Sequence, residues 1–398
     1  MKGTMLKKTR LTAAVLGLCL LTSPAHAENP VNDKLPDPDG KPADMTKPVK
    51  VFIIMGQSNT LEYGAVEKKE PVLKIKEGMS EQEQAKAKEK HEKRLAKYEQ
   101  DRDKTLVSAI KNDGLYPFMV DDAGKWTKRQ DVRVTHVMQS KGSMKMQRND
   151  WLTVKGKAIG MGQGIGHQLG NHFDGPVLII RSSIGNRGLG WDLLPPGSPS
   201  WEVEEKDNKT GEIRTMVYAG YKQSPKKWEK GTEAERIKWY AGKQYDDDTA
   251  NAKKVLAELD TYYPGATEYE VAGFFWWQGC KDRNNPAYFN RYEKHLGFLI
   301  DALRKDFNAP NAKFVAASLG EDEKGVNNGG GKILEAIMNI ADASKHPQYK
   351  GAVAGVYTHP LTIPAGGSCG HYGGSAKTYM NVGIGMGEAM VDLFENDK

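Results

Sequence analysis

Residues 51–64 read VFIIMGQSNTLEYG, an unbroken apolar run that ends at Met55 and is followed by Gly56-Gln57-Ser58-Asn59. An apolar run without alternation predicts a strand that is buried on both faces, as in a parallel sheet covered by helices. The glycine ends this strand and places Ser58 in the turn at the carboxyl edge of the sheet, where open α/β sheets bind their ligands. Serine and asparagine also cap ordinary helices. The stretch by itself therefore does not decide whether Ser58 is a reactive hydroxyl or a helix cap.

Three further apolar runs have the same character and lead into loops rich in glycine or polar residues. They are residues 176–181 (PVLIIR), 269–277 (YEVAGFFWW) and 313–319 (KFVAASL). The predicted helices near them cover residues 287–307, 333–343 and 375–396. Another predicted helix runs to Tyr262, with Asp247 or Asp248 as its cap. This alternation of strands and helices predicts an α/β protein, with a three-layer α/β/α domain around a central parallel sheet.

Two long polar segments interrupt this pattern, at about residues 65–125 and 198–246. Within the first, residues 80–111 are dense in helix-forming and oppositely charged side chains, which predicts a long exposed helix or a helical hairpin. A partner-binding role is conceivable, but a solvated insertion is the better interpretation because the apolar positions are sparse. The remainder of residues 50–398 is predicted to form one domain, preceded at 28–49 by an extended leader rich in Pro, Asp and Lys.

The first 27 residues have the pattern of a secretory signal peptide. Cations precede the apolar run of residues 11–21, and Ala25-His26-Ala27 supplies small residues for cleavage. That run is too short to span a bilayer, so we expect an exported protein, periplasmic or extracellular, without a membrane span. Removing the four cations of this segment lowers the formal charge from +6 to +2. No basic surface for nucleic acid is predicted after this correction.

The glycine-rich segments do not match the known nucleotide-binding patterns. Residues 157–172 (KAIGMGQGIGHQLGNH) lack the dinucleotide fingerprint, and residues 327–332 lack the Ser or Thr that a phosphate loop requires. Glycines at the start of a helix can instead bring backbone N–H groups close to a developing negative charge, or simply allow close packing. In the loop after residue 181, Asn186, Arg187 and Trp191 are side chains that could meet a sugar.

Ser58 and His371 suggest a serine hydrolase. One follows the first strand and the other precedes the last helix, so a parallel sheet can bring both to one edge. Serine is a poor nucleophile at its own pKa and needs a base such as an imidazole to take its proton. A single histidine among nine is weak evidence, since a structural histidine is the more common case.

Several motifs occur together in the order found in SGNH hydrolases. They are Gly56-Gln57-Ser58-Asn59, the segment around Gly160, Trp276-Trp277-Gln278-Gly279, and His371-Tyr372 before the final helix. Within that superfamily the sequence most resembles the carbohydrate esterases that include sialate O-acetylesterases and acetylxylan esterases. The resemblance covers about residues 51–393 without the charged insertions, and implies a flavodoxin-like SGNH hydrolase fold.

The resemblance also implies roles for individual residues. Ser58 would be the nucleophile and His371 the base. The oxyanion hole would consist of the Ser58 N–H, the Gly160 N–H and the Gln278 side chain, three donors that stabilise a tetrahedral intermediate. The substrate would be contacted by Gln57, Asn59, Asn186, Arg187 and Trp191.

The sequence departs from the family pattern beside the predicted base. The family commonly has an Asp two or three residues before the His, whereas here Ser368-Cys369-Gly370 precede His371. A backbone carbonyl could orient the imidazole instead, or a carboxylate from another loop, with Asp282 as the first candidate and Asp192 as the second. Catalysis could also be weakened or lost.

A second departure places a cysteine, Cys280, after Gln-Gly, where an acidic residue is common. Once the signal peptide is removed, Cys280 and Cys369 are the only cysteines, and an exported protein meets oxidising conditions. Each lies two residues from a predicted site residue, on loops expected to be neighbours. We therefore predict a disulfide between them, with two unrelated thiols as the alternative.

The sequence thus predicts an exported serine esterase that removes O-acetyl or similar short acyl groups from an oligo- or polysaccharide. This chemistry requires no metal or other cofactor, and no zinc-ligand spacing is present in the sequence. The alternative is a carbohydrate-binding or scaffold protein on an esterase fold with weakened or lost catalysis. The sugar, the acyl position and the oligomeric state are not determined by these patterns.

Overall fold

The computed structural model describes residues 30–363 and 370–396. The predicted signal peptide, residues 1–27, and Cys369 lie outside the described residues. The strands, in chain order, are β1 (Val49–Gly56), β2 (Gly64–Ala65), β3 (Val132–Ser140), β4 (Ser143–Trp151), β5 (Ala158–Ile159), β6 (Val177–Ser182), β7 (Trp201–Lys206), β8 (Ile213–Tyr218), β9 (Lys227–Glu229), β10 (Tyr269–Trp277), β11 (Lys313–Ala317) and β12 (Val353–Val356). The α-helices are α1 (Glu81–Arg102), α2 (Leu106–Lys111), α3 (Gly162–His172), α4 (Lys243–Ala257), α5 (Leu259–Tyr262), α6 (Pro286–Phe289), α7 (Tyr292–Asp306), α8 (Gly329–Ile340) and α9 (Ala376–Glu395).

The central sheet has seven strands in the order β12-β11-β10-β1-β6-β3-β4. All neighbours are parallel except β4, which forms an antiparallel hairpin with β3. Numbered along the chain, the parallel strands run 2-3-1-4-5-6, whereas flavodoxin runs 2-1-3-4-5. The chain builds one half of the sheet before it crosses β1 to build the other, and ligand sites form at such a switch point.

The unbroken apolar run of β1 is explained by two hydrophobic cores. Val51, Ile53 and Met55 pack in the core that contains residues of α4, α7 and α8. Phe52 and Ile54 pack in the core that contains residues of α3 and α9. Because successive side chains of a strand point to opposite faces, both faces of β1 must be apolar. The predicted three-layer α/β/α fold is confirmed.

Gly56 ends β1 at a position that no larger residue can occupy without movement. Its φ is +147°, and a Cβ placed there would lie 2.6 Å from the carbonyl oxygen of Trp277. The neighbouring strand β10 ends at Trp277, which is paired with Gly56. The close approach of these two strand ends requires a glycine and directs the next residues, Gln57 and Ser58, out of the sheet.

The helices of the first insertion contribute no residue to the two hydrophobic cores that cover the central sheet. The helix predicted over residues 80–111 is divided into α1 and α2, and Asp101 is the buried residue of α1. In α2, Leu106 and Ala109 pack with Tyr116 and Met380 in a separate cluster. The 22-residue α1 is therefore a largely solvated helix, as the sparse apolar pattern predicts.

The second insertion contains a small antiparallel sheet, β7-β8-β9. Trp201 and Tyr218 of this sheet stack with ring centroids 5.3 Å apart and pack against Tyr288 of α6. The scattered aromatic residues of this segment thus anchor it to the main domain. Within residues 30–363 and 370–396, none of the helices has the apolar length that a bilayer crossing requires.

Two helices begin earlier than their sequence patterns predict. The α8 helix starts at Gly329 because the Asn328 side chain accepts a hydrogen bond from the Gly331 N–H at 2.8 Å. The α4 helix starts after Gly242, whose φ is 90°, and not at the acidic pair Asp247 and Asp248. Glycines and a local cap therefore set these boundaries, whereas the apolar periodicity begins only inside the helices.

Candidate active site

An open pocket of about 580 Å³ lies at the carboxyl edge of the sheet, beside the end of β1. Its walls come from the loops after β1, β6 and β10 and from the turn before α9. The lining residues are Gln57, Ser58, Tyr63, Gly185, Asn186, Cys280, Lys281, Asn284 and His371. The fold brings Ser58 and His371 into one pocket, together with Gln57 and Asn186.

Ser58 is not a helix cap. It is the first residue of a single 3-10 turn whose N-cap is Gln57, and no side chain caps that turn. The turn is held by Thr60, whose hydroxyl donates to the Gln57 carbonyl at 2.7 Å and lies 2.7 Å from the Ser183 hydroxyl. The half-buried Ser58 hydroxyl itself makes no hydrogen bond within the described residues. It is therefore available to a ligand in the pocket.

His371 is held by backbone conformation and by an aromatic ring. Its φ is 59°, in the left-handed region, and its imidazole stacks on Tyr63 with centroids 3.9 Å apart and an interplanar angle of 4°. Partial burial lowers the pKa of His371 below its ordinary value of 6.5. Among the described residues no carboxylate pairs with the imidazole and no hydrogen bond joins it to Ser58. A neutral imidazole, the basic form, therefore predominates at neutral pH.

Tyr63 is a residue of this pocket that its sequence pattern does not identify. It lies in the same opening stretch, five residues after Ser58, and its side chain is 40% exposed. No periodicity or motif distinguishes it from a surface residue. Only the chain path, which carries the turn before α9 across this residue, shows that it supports the imidazole.

Asp282, the first candidate to orient His371, is used elsewhere. Its fully buried carboxylate accepts hydrogen bonds from the N–H groups of Leu189 and Gly190 at 2.9 and 2.8 Å, and from Nε2 of Gln278 at 2.6 Å. Burial raises the pKa of Asp282 to about 6 despite these donors. Its carboxylate joins the loop after β6 to the loop after β10, and none of its hydrogen bonds is to the imidazole.

The second candidate, Asp192, is likewise held by hydrogen bonds to backbone N–H groups. Its carboxylate accepts the Gly188 N–H at 3.0 Å, and its carbonyl accepts the N–H of Gln244 at 2.8 Å. Burial raises the pKa of Asp192 as well. The prediction that either carboxylate orients His371 is not met in this geometry, because each is committed to the backbone of the loop after β6.

Gln278 also differs from its predicted role. It is completely buried. Its Nε2 donates to three acceptors, namely the Asp282 carboxylate at 2.6 Å, the Arg187 carbonyl at 2.9 Å and Gln57 Oε1 at 3.2 Å. An amide nitrogen has two hydrogens, so none remains for an oxyanion. Gln57 lines the pocket instead, with its Oε1 fixed by Gln278 and by the Lys281 N–H at 3.3 Å. Its Nε2 has no partner among the described residues and can donate to a ligand.

Gly185, and not the predicted oxyanion donor Gly160, lines the Ser58 pocket. Gly160 lies against Leu61 and Glu62 and lines a small cavity behind the turn. Gly185 lines the pocket, and a Cβ placed on it would lie 3.4 Å from Cβ of Ser58. The short loop of Gly, Ser and Asn after β6 is the signal that could have identified it.

Three predicted substrate contacts have structural roles. Asn59 is fully buried, and its Nδ2 donates to the Tyr372 hydroxyl at 3.3 Å. Arg187 donates from Nε to Gln244 at 3.1 Å and lies over the ring of Trp239. Trp191 packs in the cluster that joins the second insertion to the domain. Their partners come from distant parts of the chain, which residue type alone does not reveal.

Cys280 lines the pocket, and its Sγ lies 3.9 Å from Asn59 Nδ2. Its predicted partner, Cys369, is outside the described residues, so the bridge stays a prediction.

Comparison with known proteins identifies a carbohydrate esterase family for part of the chain. Residues 206–390 match the family described as carbohydrate esterase, sialic acid-specific acetylesterase. This segment includes His371 and Gln278 but not Ser58. No curated protein sequence matches the chain. The predicted resemblance to carbohydrate esterases is confirmed for this segment.

Three solved structures that align with the chain have TM-scores below 0.5. A protein of Arabidopsis thaliana aligns with TM-score 0.43 and 11% identity, covering 86% of this chain and 98% of its own. A carbohydrate acetylesterase from Xanthomonas citri has TM-score 0.43 and 11% identity, covering 85% of this chain and 55% of its own. NanS has TM-score 0.42 and 10% identity, covering 90% of this chain and all of its own.

Proposed function

We propose that this protein is an exported serine esterase that removes O-acetyl or similar short acyl groups from a carbohydrate. The observation that carries the proposal is the shared pocket, in which a serine hydroxyl with no hydrogen bond to the described residues and a half-buried imidazole meet from opposite ends of the chain. The family match of residues 206–390 supports carbohydrate esters as the substrate class. Export rests on the sequence pattern of the first 27 residues.

In the acylation step Ser58 Oγ attacks the ester carbonyl while the neutral His371 imidazole accepts its proton. The new C–O bond converts the carbonyl into a tetrahedral oxyanion. When this intermediate collapses, the bond to the sugar oxygen breaks and the imidazolium returns the proton to that oxygen. The sugar leaves with a free hydroxyl, and the acyl group remains on Ser58.

The oxyanion is stabilised by donors that face the pocket. We assign this role to the backbone N–H groups of Ser58 and Gly185, two residues that line the pocket, and to Gln57 Nε2, a side-chain donor whose direction is set by the contacts of Oε1 with Gln278 and the Lys281 N–H. Fixed donors aimed at a developing charge each stabilise the transition state by about 3 kcal/mol. Gln278 therefore acts through Gln57 as a positioning residue.

Deacylation repeats the same proton transfers with water in place of the sugar. The imidazole accepts a proton from water as the water oxygen attacks the acyl carbonyl, and it then returns this proton to Ser58 Oγ as the C–O bond breaks. The products are the carboxylic acid and free enzyme, so no external oxidant or reductant is involved.

A second function is favoured by one specific observation. Within the described residues, His371 lacks both a carboxylate partner and a hydrogen bond to Ser58. An imidazole that stacks on Tyr63 without these two partners would be consistent with a carbohydrate-binding protein on an esterase fold with weakened catalysis. Release of acetate from an O-acetylated polysaccharide separates the two, provided that release depends on Ser58.

The pH dependence of kcat/KM reports on His371. Burial lowers its pKa, and the deprotonated form is the active one, so activity should rise through a midpoint below pH 6.5 and stay level to about pH 8. The measurement is p-nitrophenyl acetate hydrolysis, corrected for the spontaneous rate. A midpoint near or above pH 7 would contradict this geometry, since it would require a carboxylate beside the imidazole.

Tyr63 should matter through its ring and not through its hydroxyl. We expect Tyr63→Phe to retain activity within about twofold and Tyr63→Ala to lower kcat roughly three- to tenfold, because stacked aromatic pairs contribute about 0.5–1.5 kcal/mol. Tyr269, 45% exposed at the start of β10, is the matched control. Equal activity of Tyr63→Ala and Tyr269→Ala would exclude a positioning role for Tyr63.

The predicted Cys280–Cys369 bridge can be tested by counting thiols. Under denaturing, non-reducing conditions we expect no free thiol in the mature protein, and two after reduction. Cys369→Ser should then expose one thiol without reduction. Two free thiols in the unreduced wild type would refute the bridge.

A further inference from the structure

A second cleft, of about 780 Å³, lies beside the first insertion and shares no lining residue with the Ser58 pocket. One wall is the C-terminal half of α1, and the opposite wall is the segment that follows β2. The connection between β4 and β5 contributes Gly156 and Lys157. The proposed esterase chemistry makes no use of this cleft.

The cleft is positively charged. It is lined by two acidic residues, Glu67 and Asp101, and by five basic residues, namely Lys68, Lys69, Arg94, Lys97 and Lys157. The Asp101 carboxylate is already paired with Lys68 and Lys104. In the described part of the chain, Lys69, Arg94 and Lys157 are exposed and have no ion-pair partner. These cations are available to an anionic ligand.

Aromatic and apolar groups accompany these charges. Tyr98 of α1 and Trp126 line the cleft and are half-buried, and Val66 and Val107 add apolar surface. Aromatic rings with one accessible face and one packed side offer contact area at low entropic cost. A ligand with apolar ring faces and anionic substituents matches this combination better than a simple ion does.

A single short peptide connects this cleft to the proposed active site. Tyr63 stacks on His371, and Val66 to Lys69 line the cleft. The strand β2 between them is paired with β5, next to Lys157. Seven residues span at most roughly 25 Å even when fully extended. One polymer chain can therefore reach both sites.

We propose that this cleft binds an acidic saccharide segment, bearing carboxylate or sulfate groups, of the polymer whose esters are hydrolysed at Ser58. The choice of a saccharide rests on the proposed function. Binding here raises the effective concentration of the neighbouring esters at Ser58. The exposed helix α1, whose buried residue is Asp101, is then explained as one wall of a binding site.

The test measures binding and small-ester hydrolysis separately on the full mature chain. Calorimetry at low salt compares polygalacturonate, chondroitin sulfate, a neutral dextran and single-stranded DNA as ligands. The cleft variant is Lys69→Glu with Arg94→Glu. The matched control is Lys74→Glu with Lys88→Glu, which makes the same charge change on exposed residues of the same loop and helix outside the cleft.

We expect one or both acidic polysaccharides to bind the wild type and the control pair. The cleft pair should bind at least about tenfold more weakly, and higher salt should weaken all binding. Whichever polymer binds identifies the carboxylate or the sulfate as the recognised group. Hydrolysis of p-nitrophenyl acetate should be equal in all three proteins, so a failed esterase assay tests the proposed function and not the cleft.

The proposal is overturned by any of three results. Neither acidic polysaccharide binds, or the control pair loses as much affinity as the cleft pair, or DNA binds the cleft more tightly than both polysaccharides. A circular dichroism melt of each variant confirms that folding is retained.

Discussion

Replacing Ser58 with alanine should lower p-nitrophenyl acetate hydrolysis at least about a hundredfold, which corresponds to ~2.7 kcal/mol of transition-state stabilisation. The substitution removes Oγ, the atom that carries the acyl group in the proposed mechanism. Because the hydroxyl makes no hydrogen bond within the described residues and is half-buried, the fold should not change. The melting temperature of Ser58→Ala should therefore stay close to that of the wild type.

The matched control for this experiment is Ser143→Ala, at an exposed hairpin position that does not line the pocket. It should retain full activity. Equal hydrolysis rates for the wild type and Ser58→Ala would refute the serine esterase and leave the binding function as the better proposal. The same pair should then be compared on an O-acetylated polysaccharide, where loss of acetate release with retained binding would separate catalysis from recognition.

Replacing Asp282 with alanine should have the largest effect on stability. Three donors, from Leu189, Gly190 and Gln278, would lose their acceptor inside the protein. Each buried donor left unpaired costs about 1–3 kcal/mol, and relief from burying a charge offsets part of this. We expect the free energy of unfolding to fall by about 3 kcal/mol at pH 7. Asp260→Ala, which removes an exposed acceptor of a single N–H, should cost less than about 1 kcal/mol.

The stability that Asp282 contributes should decrease as the pH rises. Burial raises the pKa of Asp282 from 3.8 to about 6, so the folded state disfavours its ionised form. The stability that the protonated carboxyl contributes is present below its unfolded pKa and is lost as the pH rises through about 6. The stability advantage of the wild type over Asp282→Asn should therefore shrink between pH 4 and pH 6. Urea titrations at several pH values measure it.

Asp282→Asn also distinguishes the structural role from the role predicted by sequence. If Asp282 oriented His371, loss of its charge would move the acid midpoint of kcat/KM to lower pH. Because its carboxylate instead holds the loop after β6 against the loop after β10, we expect that midpoint to stay unchanged while kcat falls. A clear shift of the midpoint would show that the carboxylate reaches the imidazole in the working enzyme.

The residues of the proposed active site separate into those that the sequence identifies and those that it does not. Ser58 follows a buried strand and a glycine, and His371 precedes the last helix, so topology alone sends both to one edge. Gly160 and Gln278 carried family-like motifs, yet Gly185 and Gln57 occupy the positions facing the pocket. A motif specifies the residue type, whereas the direction of an amide or a backbone N–H depends on partners in other loops.

By itself, the sequence determined the layered fold, the strand-to-turn position of Ser58 and the solvated character of the first insertion. Apolar periodicity, glycine conformation and helix propensity are local properties, and they are legible along the chain. Only the tertiary structure decided what surrounds His371, where Asp282 directs its carboxylate, and that basic and aromatic side chains of the insertion enclose a cleft. These depend on contacts between residues far apart in sequence, where small differences in loop path decide which polar group pairs and which stays open.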